Sequence, residues 1–379
     1  MALRIPEGQP GRIAARFALL KAQDRGALIT FVEAYDPDAE TSMALLAGMP
    51  GAGADLIEIG MPFTDPMADG PSVQLAGQRG LKAGATLVRT LAMVRDFRKR
   101  DAETPIVLMG YFNPILSYGC ERFATDAAAS GVDGLIVVDL PPEEADELTR
   151  FTAKERLELI RLVAPTTHDA RLPKVLSGSG GFVYFVSITG ITGTRSASAE
   201  ALALHVPRIR KMTTLPIAVG FGVRTPEQAA NAVRIADAAV VASALIDTLK
   251  QNLDGEGRAK PGAVRAVLDQ VRALSGQRGA EGGGAAMSRA ILERGGRGGA
   301  DGEWTDEGWS EWVESAMSVL PTDEDRELLR MWLNDVPLFR IAEQLSVPGR
   351  EVTPAAVRQR WKTIRERLRA FAESGGDGS

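Results

Sequence analysis

Eight short runs of apolar, largely β-branched residues recur through the first 274 residues, and no other feature restricts the fold as strongly. They are ALITFVE (27–33), DLIEIG (55–60), PIVLMGY (105–111), GLIVVDL (134–140), ELIRLVAP (158–165), GFVYFVSI (181–188), PIAVGFG (216–222) and AAVVASA (238–244). Stretches with helical spacing lie between them, among them 72–83, 86–100, 122–130, 143–154, 199–211 and 226–235. Short strands alternating with helices form a parallel sheet, because a parallel connection needs a crossover of a dozen or more residues. Eight such units in about 250 residues is the usual size of a closed (β/α)8 barrel of the TIM type. That α/β fold is expected of residues 1–274. An open, doubly wound sheet is the rival, but it ordinarily carries a glycine-rich phosphate loop after its first strand. Here that position reads Ala34-Tyr35-Asp36-Pro37.

Composition changes at residue 275. Residues 275–302 contain ten glycines and no strand pattern, as a flexible linker does. All five tryptophans (Trp304, Trp309, Trp312, Trp332, Trp361) follow it. Residues 303–379 have the spacing of a small all-α domain of four helices, with Thr305 and Thr322 as N-caps and Thr353-Pro354 as a cap followed by a first-turn proline. Leu328, Leu329, Trp332, Leu338, Ile341, Leu345, Val357, Trp361, Ile364 and Leu368 would form its core. The expected organisation is a barrel at 1–274, a linker at 275–302 and a helical domain at 303–379. Met287, within the linker, is where a joined downstream reading frame would start.

Several classes of function are disfavoured. No stretch approaches the roughly 20 apolar residues that span a bilayer, and residues 1–17 lack an apolar segment followed by a cleavage site. A single cysteine, Cys120, forms no internal disulfide and suits a reducing cytoplasm. Two histidines and one cysteine are too few soft ligands for a typical zinc site, so no metal is expected. A net charge of −5 argues against coating nucleic acid with the whole surface.

In a barrel of this kind, chemistry belongs at the carboxyl ends of strands and in the loops that follow. Along 55–60 side chains alternate, so Leu56 and Glu58 face one way while Ile57 and Ile59 face the other. With the isoleucines against the helices, Glu58 points towards the barrel axis near its mouth. A carboxylate there is costly unless it is paired or used in chemistry. The following loop, 61–70, adds Asp65 and Asp69, and Pro62, Pro66 and Pro71 restrict its path. A structural ion pair at Glu58 with helix-capping aspartates fits the spacing equally well.

The string EIGMPFTDPMADGP (58–71) resembles the signature of the tryptophan synthase α subunit family. The resemblance extends over roughly residues 12–272, with FNP (112–114), VDLPPEE (138–144), SITGITGTR (187–195) and VGFGV (219–223) following in the family's order. It implies a cytoplasmic lyase of tryptophan biosynthesis that cleaves indole-3-glycerol phosphate to indole and glyceraldehyde 3-phosphate. It also implies that this chain carries no cofactor, and that a β subunit bearing pyridoxal phosphate takes the indole within an α2β2 heterotetramer.

That cleavage is a retro-aldol step, for which aldolases commonly use a lysine Schiff base or a metal. None of the nine lysines falls at a strand's carboxyl end, and His168 and His205 fit surface or helix positions. Carboxylates remain. By the resemblance, Glu58 is the proton-transferring acid and base, and Asp69 accepts a hydrogen bond from the indole N–H. Gly193, Gly222 and Ser243 match phosphate contacts, while Phe31, Met109, Tyr184 and Phe221 are expected to form an apolar slot for indole. Thr192 resembles the threonine that closes the site around Asp69, and Gly190 and Gly193 would let its loop move. Two departures stand out. The family's T-x-G-D-P is Glu33-Ala34-Tyr35-Asp36-Pro37 here, and its G-S is Ala242-Ser243. A catalytically weak barrel serving as allosteric partner of a β subunit is the alternative. Another phosphate-binding barrel of the same pathway would not carry the 58–71 string.

The tail resembles helix-turn-helix modules of the sigma-factor region 4 type in LPTDEDRELLRMWLNDVPLFRIAEQL and VTPAAVRQRWKTIRERL. Its last helix, 353–371, carries Arg358, Arg360, Lys362, Arg365, Arg367 and Arg369, which suits contact with nucleic-acid phosphates. The connection 346–351 is longer than the tight turn of such modules, and a protein-interaction or stabilising bundle is the competing reading.

Overall fold

The computed structural model describes residues 10–186, 199–220, 222–276, 320–323, 325–326, 360, 363–364 and 367. The chain divides into two units, Met1–Gly283 and Gly284–Ser379. In the first, helix α1 (Arg12–Ala22) precedes β1 (Ala27–Glu33), α2 (Ala39–Ala52), β2 (Leu56–Gly60), α3 (Pro71–Lys82), α4 (Leu87–Arg98) and β3 (Ile106–Gly110). Then come α5 (Phe112–Tyr118), α6 (Cys120–Ser130), β4 (Gly134–Val137), a 3-10 turn at Pro142–Glu144, α7 (Asp146–Lys154), β5 (Glu158–Leu159) and β6 (Arg161–Val163). The unit ends with α8 (Leu172–Leu176), β7 (Val183–Val186), α9 (Ala199–Arg210), β8 (Ile217–Gly220), α10 (Pro226–Ile235), β9 (Ala238–Val241), α11 (Ser243–Gln251) and α12 (Ala263–Gly276).

Every strand pairing is parallel, in the order β5-β4-β3-β2-β1-β9-β8-β7-β6. The two outermost members, β5 and β6, are halves of one extended run interrupted at Ile160. One half pairs with β4 and the other with β7, so the sheet closes into an eight-stranded TIM barrel. Strand alternation sorts the core into two. Ile29, Leu56, Val107, Ile136, Ile160, Ala218 and Val240 pack inside the barrel, whereas Leu28, Ile57, Ile59, Leu108, Leu135 and Val219 pack outwards against the helices. Helix α1 plugs the amino-terminal end, inserting Ile13, Phe17 and Leu20 into the inner cluster, with Phe17 6.1 Å from Phe182. Ser275 and Gly276, which composition assigns to the linker, instead complete α12, where Leu274 is fully buried and Ser275 bonds the Ala52 carbonyl at 3.2 Å.

Three aspartates staple the amino-terminal rim in the same way. Asp55, Asp133 and Asp237 each sit just ahead of a strand and accept an N–H from the neighbouring strand: Leu28 at 2.8 Å, Ile106 at 2.8 Å and Ile217 at 2.9 Å. Each also pairs with arginine. Arg25 grips Asp55 with two bonds at 2.9 and 2.7 Å, Arg210 reaches Asp237 at 2.9 Å, and Asp133 takes both Arg12 (2.9 Å) and Arg98 (2.7 Å). The Arg98 side chain is fully buried, and its remaining donors reach the carbonyls of Gly131 and Thr104. Such bonds set strand register at the rim that performs no chemistry.

In the second unit Leu320 and Ile364 are buried, and Thr322 accepts the N–H of Asp325 at 3.1 Å, taking the capping position expected of it. Arg360 bonds Asp325 at 2.5 Å and Thr322 at 2.8 Å. Residues 277–319 and most of 327–379 lie outside the described residues, and with them most of the linker and of the tail's expected helices and core.

Removing one partner of a buried ion pair leaves the other charged and unsolvated, at a cost of about 3–5 kcal/mol. Asp133→Ala is therefore expected to lower the unfolding free energy by about that amount in urea titrations. A loss below about 1 kcal/mol, the size of an exposed pair, would contradict the stapling role.

Candidate active site

On β1 the inward side carries Ala27, Ile29 and Phe31, and Glu33 continues that alternation at the mouth. On β2 it carries Leu56, Glu58 and Gly60. The register places Phe31 beside Glu58 and Glu33 beside Gly60, with Val107 on the other side of Glu58. Glu58 thus occupies the layer just above the packed interior. Only 1% of it is exposed, and neither carboxyl oxygen has a hydrogen-bond partner among the described residues. Burial alone pushes its pKa to about 8. Tyr184 on β7 stands within electrostatic reach, and its phenol is driven well up by burial first and by Glu58 second.

Asp69 is half-buried near the end of the loop joining β2 to α3. Its N–H donates to the Pro66 carbonyl at 3.2 Å and its own carbonyl accepts from Gln74 at 2.9 Å, which pins the turn before α3. Tyr111, one residue past β3, anchors the same loop: the Ala68 N–H donates to its oxygen at 3.0 Å, and its phenol is near enough to act on the Asp69 carboxyl. Burial raises the Asp69 pKa, and Tyr111 opposes it. Tyr111 itself is pushed up to about 12, chiefly by burial, with the Asp69 charge adding to the shift. Sequence reasoning did not single out Tyr111; its one signal is its place at the end of the third apolar run. Asp65 is exposed on the loop.

The remaining expected residues divide into four groups. Phe31 and Met109 meet in one cluster with Val73, Ala76, Ile246 and Ala242. Tyr184 lies over Gly220, where a Cβ would meet its ring at 2.5 Å. Gly222 is exposed at φ 61°, and Ser243 is the first residue of α11, so its N–H belongs to the unpaired first turn of a helix. Thr192, Gly193 and Phe221 lie outside the described residues. Tyr35 occupies the left-handed region at φ 67°, where the related motif has glycine, and its N–H is held by Ser42 Oγ at 3.0 Å. A bulky residue there stores about 1–3 kcal/mol of strain. Among the described residues no group of three or more His, Cys, Asp or Glu side chains could hold a metal ion, and no helix is long and apolar enough to cross a membrane.

A closed parallel barrel whose mouth holds a buried carboxyl group, unpartnered among the described residues, beside the apolar side chains of Phe31 and Met109 is the framework of a TIM-barrel lyase. A family model, the tryptophan synthase alpha chain, matches residues 17–271. The tryptophan synthase alpha chain of Granulibacter bethesdensis is 67% identical over 264 residues, covering 70% of this chain and 95% of that protein. The one from Acidiphilium cryptum is 67% identical over 264 residues, covering 70% and 96%. Among solved structures, tryptophan synthase subunit alpha from Legionella pneumophila superposes with a TM-score of 0.65 at 36% identity, over 71% of this chain and 98% of that one. The chain belongs to the tryptophan synthase alpha chain family. The family match ends at residue 271, so it does not reach the tail.

Because the folded chain keeps the Glu58 proton up to pH about 8 while an unfolded one releases it near 4.5, this group's contribution to stability is full below about 4.5 and is lost as pH rises to about 8. Glu58→Gln, which has no proton to lose, is expected to flatten the fall in unfolding free energy across that interval. Urea titrations at several pH values check this, and an unchanged slope would show that Glu58 ionises freely in the folded chain.

Proposed function

We propose that the barrel cleaves indole-3-glycerol phosphate to indole and glyceraldehyde 3-phosphate with Glu58 as the proton-transferring group and Asp69 as the acceptor for the indole N–H. The observation that carries the reading is a buried Glu58 carboxyl with both oxygens unpartnered among the described residues, one layer below the loop that presents Asp69. At neutral pH Glu58 is an acid, and it protonates C3 of the indole. The ring nitrogen then bears positive charge, which the Asp69 carboxylate stabilises. The Glu58 carboxylate takes the proton of the side-chain hydroxyl as the carbon–carbon bond breaks. The bonding electron pair returns to the ring, the alcohol carbon becomes the aldehyde, and Glu58 is protonated again. One group serves as acid and then as base, which a pKa near neutrality favours.

Phe31, Met109, Tyr184 and Phe221 would hold the indole ring. The phosphate would sit at the amino end of α11, where Ser243 offers an unpaired N–H and the helix dipole favours an anion, with Gly222 and Gly193 allowing close backbone approach. Thr192 would close over Asp69. The partner is a tryptophan synthase β subunit in an α2β2 assembly in the cytoplasm; pyridoxal phosphate belongs to that subunit, and this chain needs no cofactor. Nothing among the described tail residues favours a nucleic-acid partner, and Arg360 of the basic helix is engaged by Asp325.

Glu58→Gln is expected to cut indole release by about 10²–10⁴-fold, the size of a lost acid–base step, while the variant still binds substrate through its phosphate. Asp69→Asn should also slow cleavage severely. Wild-type turnover should fall as pH rises past about 8, where Glu58 loses its proton. Turnover of Glu58→Gln at the wild-type rate would exclude the assignment.

A further inference from the structure

A second carboxyl group points into the same mouth. Glu33 ends β1 on its inward side, paired with Gly60, so it stands one layer above Glu58. Only 6% of it is exposed. Its oxygens lie over Gly60, in the space a side chain there would fill, beside the edge of Phe31. The other side of the carboxyl faces α3, where a Cβ on Gly77 would meet Oε1 at 3.9 Å. Gly60 opens the β2–α3 loop and α3 closes it. The Glu33 carboxyl is therefore lodged at the root of the loop that presents Asp69.

The charges around it are mostly of its own sign. Asp69 on the β2–α3 loop and Asp36 on the β1–α2 loop lie within electrostatic reach of it. Arg79 on α3 is the cation within reach, and Asp36 already holds it with two bonds at 2.6 and 2.8 Å. From α2 comes Ser42, which bonds the Glu33 carbonyl. The charges of α11, Asp247 and Lys250, answer to one another and to Arg224 and Ser72. Burial first, then Asp69 and Asp36, hold the Glu33 carboxyl well above its ordinary range. Two neighbouring carboxyl groups in a dry site do not both ionise readily, and the more buried one keeps the proton. Asp69 is then the anion, which is the form that accepts an N–H.

We propose that Glu33 is a positioning residue for Asp69: as a neutral acid between Gly60 and Gly77 it lets the β2–α3 loop hold Asp69 at the substrate, and as an anion it drives Asp69 away. The inference rests on Asp69 as the acceptor of the indole N–H. It makes substrate affinity fall on the alkaline side for a reason separate from Glu58, whose own shift comes from burial alone.

The test is the dissociation constant of indole-3-glycerol phosphate, measured by calorimetry as pH is raised, in the full-length Glu58→Gln background. That background prevents turnover and removes the Glu58 titration. With Glu33 intact, the constant should rise by about tenfold per pH unit once Glu33 ionises, as a one-proton transition requires. In Glu58→Gln/Glu33→Gln it should stay flat over the same range. Glu58→Gln/Glu33→Thr, which carries the residue of the related motif, should behave likewise and serves if the glutamine variant folds poorly. The same alkaline rise in both double variants, or no rise with Glu33 intact, overturns the proposal. Asp69→Asn in the Glu58→Gln background separates the two readings: unchanged substrate affinity there would remove the role of Asp69 itself.

Discussion

Taking one carboxyl group out of water without giving it a partner is the constraint on which the site depends. Glu58 owes its position to strand alternation and to the parallel register of β1 and β2, which set it between Phe31 and Val107. A slip of one residue would turn Glu58 towards the helices and bring Ile57 or Ile59 to the axis. The register is in turn secured at the far end of the barrel, where Asp55 ties the start of β1 and grips Arg25. The placement of Glu58 at the mouth therefore depends on ion pairs at the base.

The two ends of the barrel treat the same chemical group in opposite ways. At the amino-terminal rim, Asp55, Asp133 and Asp237 are saturated with N–H and guanidinium donors and have no freedom to react. At the mouth, Glu58 lacks a partner among the described residues, Glu33 meets mainly like charge, and the group that opposes the upward shift of Asp69 is a tyrosine, not a cation. Full satisfaction gives stability, and withheld satisfaction leaves a proton available near neutral pH. The cost of the second falls on stability at high pH, where a neutral residue at position 58 would fold better.

Much of this was legible in the sequence because strand periodicity and burial act residue by residue. All eight apolar runs coincide with strands, the fifth being divided into β5 and β6 at Ile160, and alternation within 55–60 correctly sends Glu58 inwards. Helices were harder. α2 contains Gly48, Pro50 and Gly51, which argue locally against a helix, yet α12 packs on it so closely that a Cβ at Gly48 would strike Leu268. α12 likewise runs through Ser275 and Gly276, because tertiary packing outweighs a glycine-rich composition. The rim aspartates each precede an apolar run, but their N–H partners lie on other strands, and no local pattern gives that pairing. Glu33 and Tyr35 appeared as departures from a motif; only the fold shows that one faces Gly60 and that the other bears a left-handed backbone.

The most direct test is the titration of the Glu58 carboxyl carbon itself, followed by carbon-13 NMR on selectively labelled full-length protein, with Glu58→Gln identifying the resonance. A midpoint near pH 8, the value that burial imposes, is expected. A midpoint near the ordinary 4.5 would mean that water or a donor reaches the group, and the proton-transfer chemistry assigned to it would have to be abandoned.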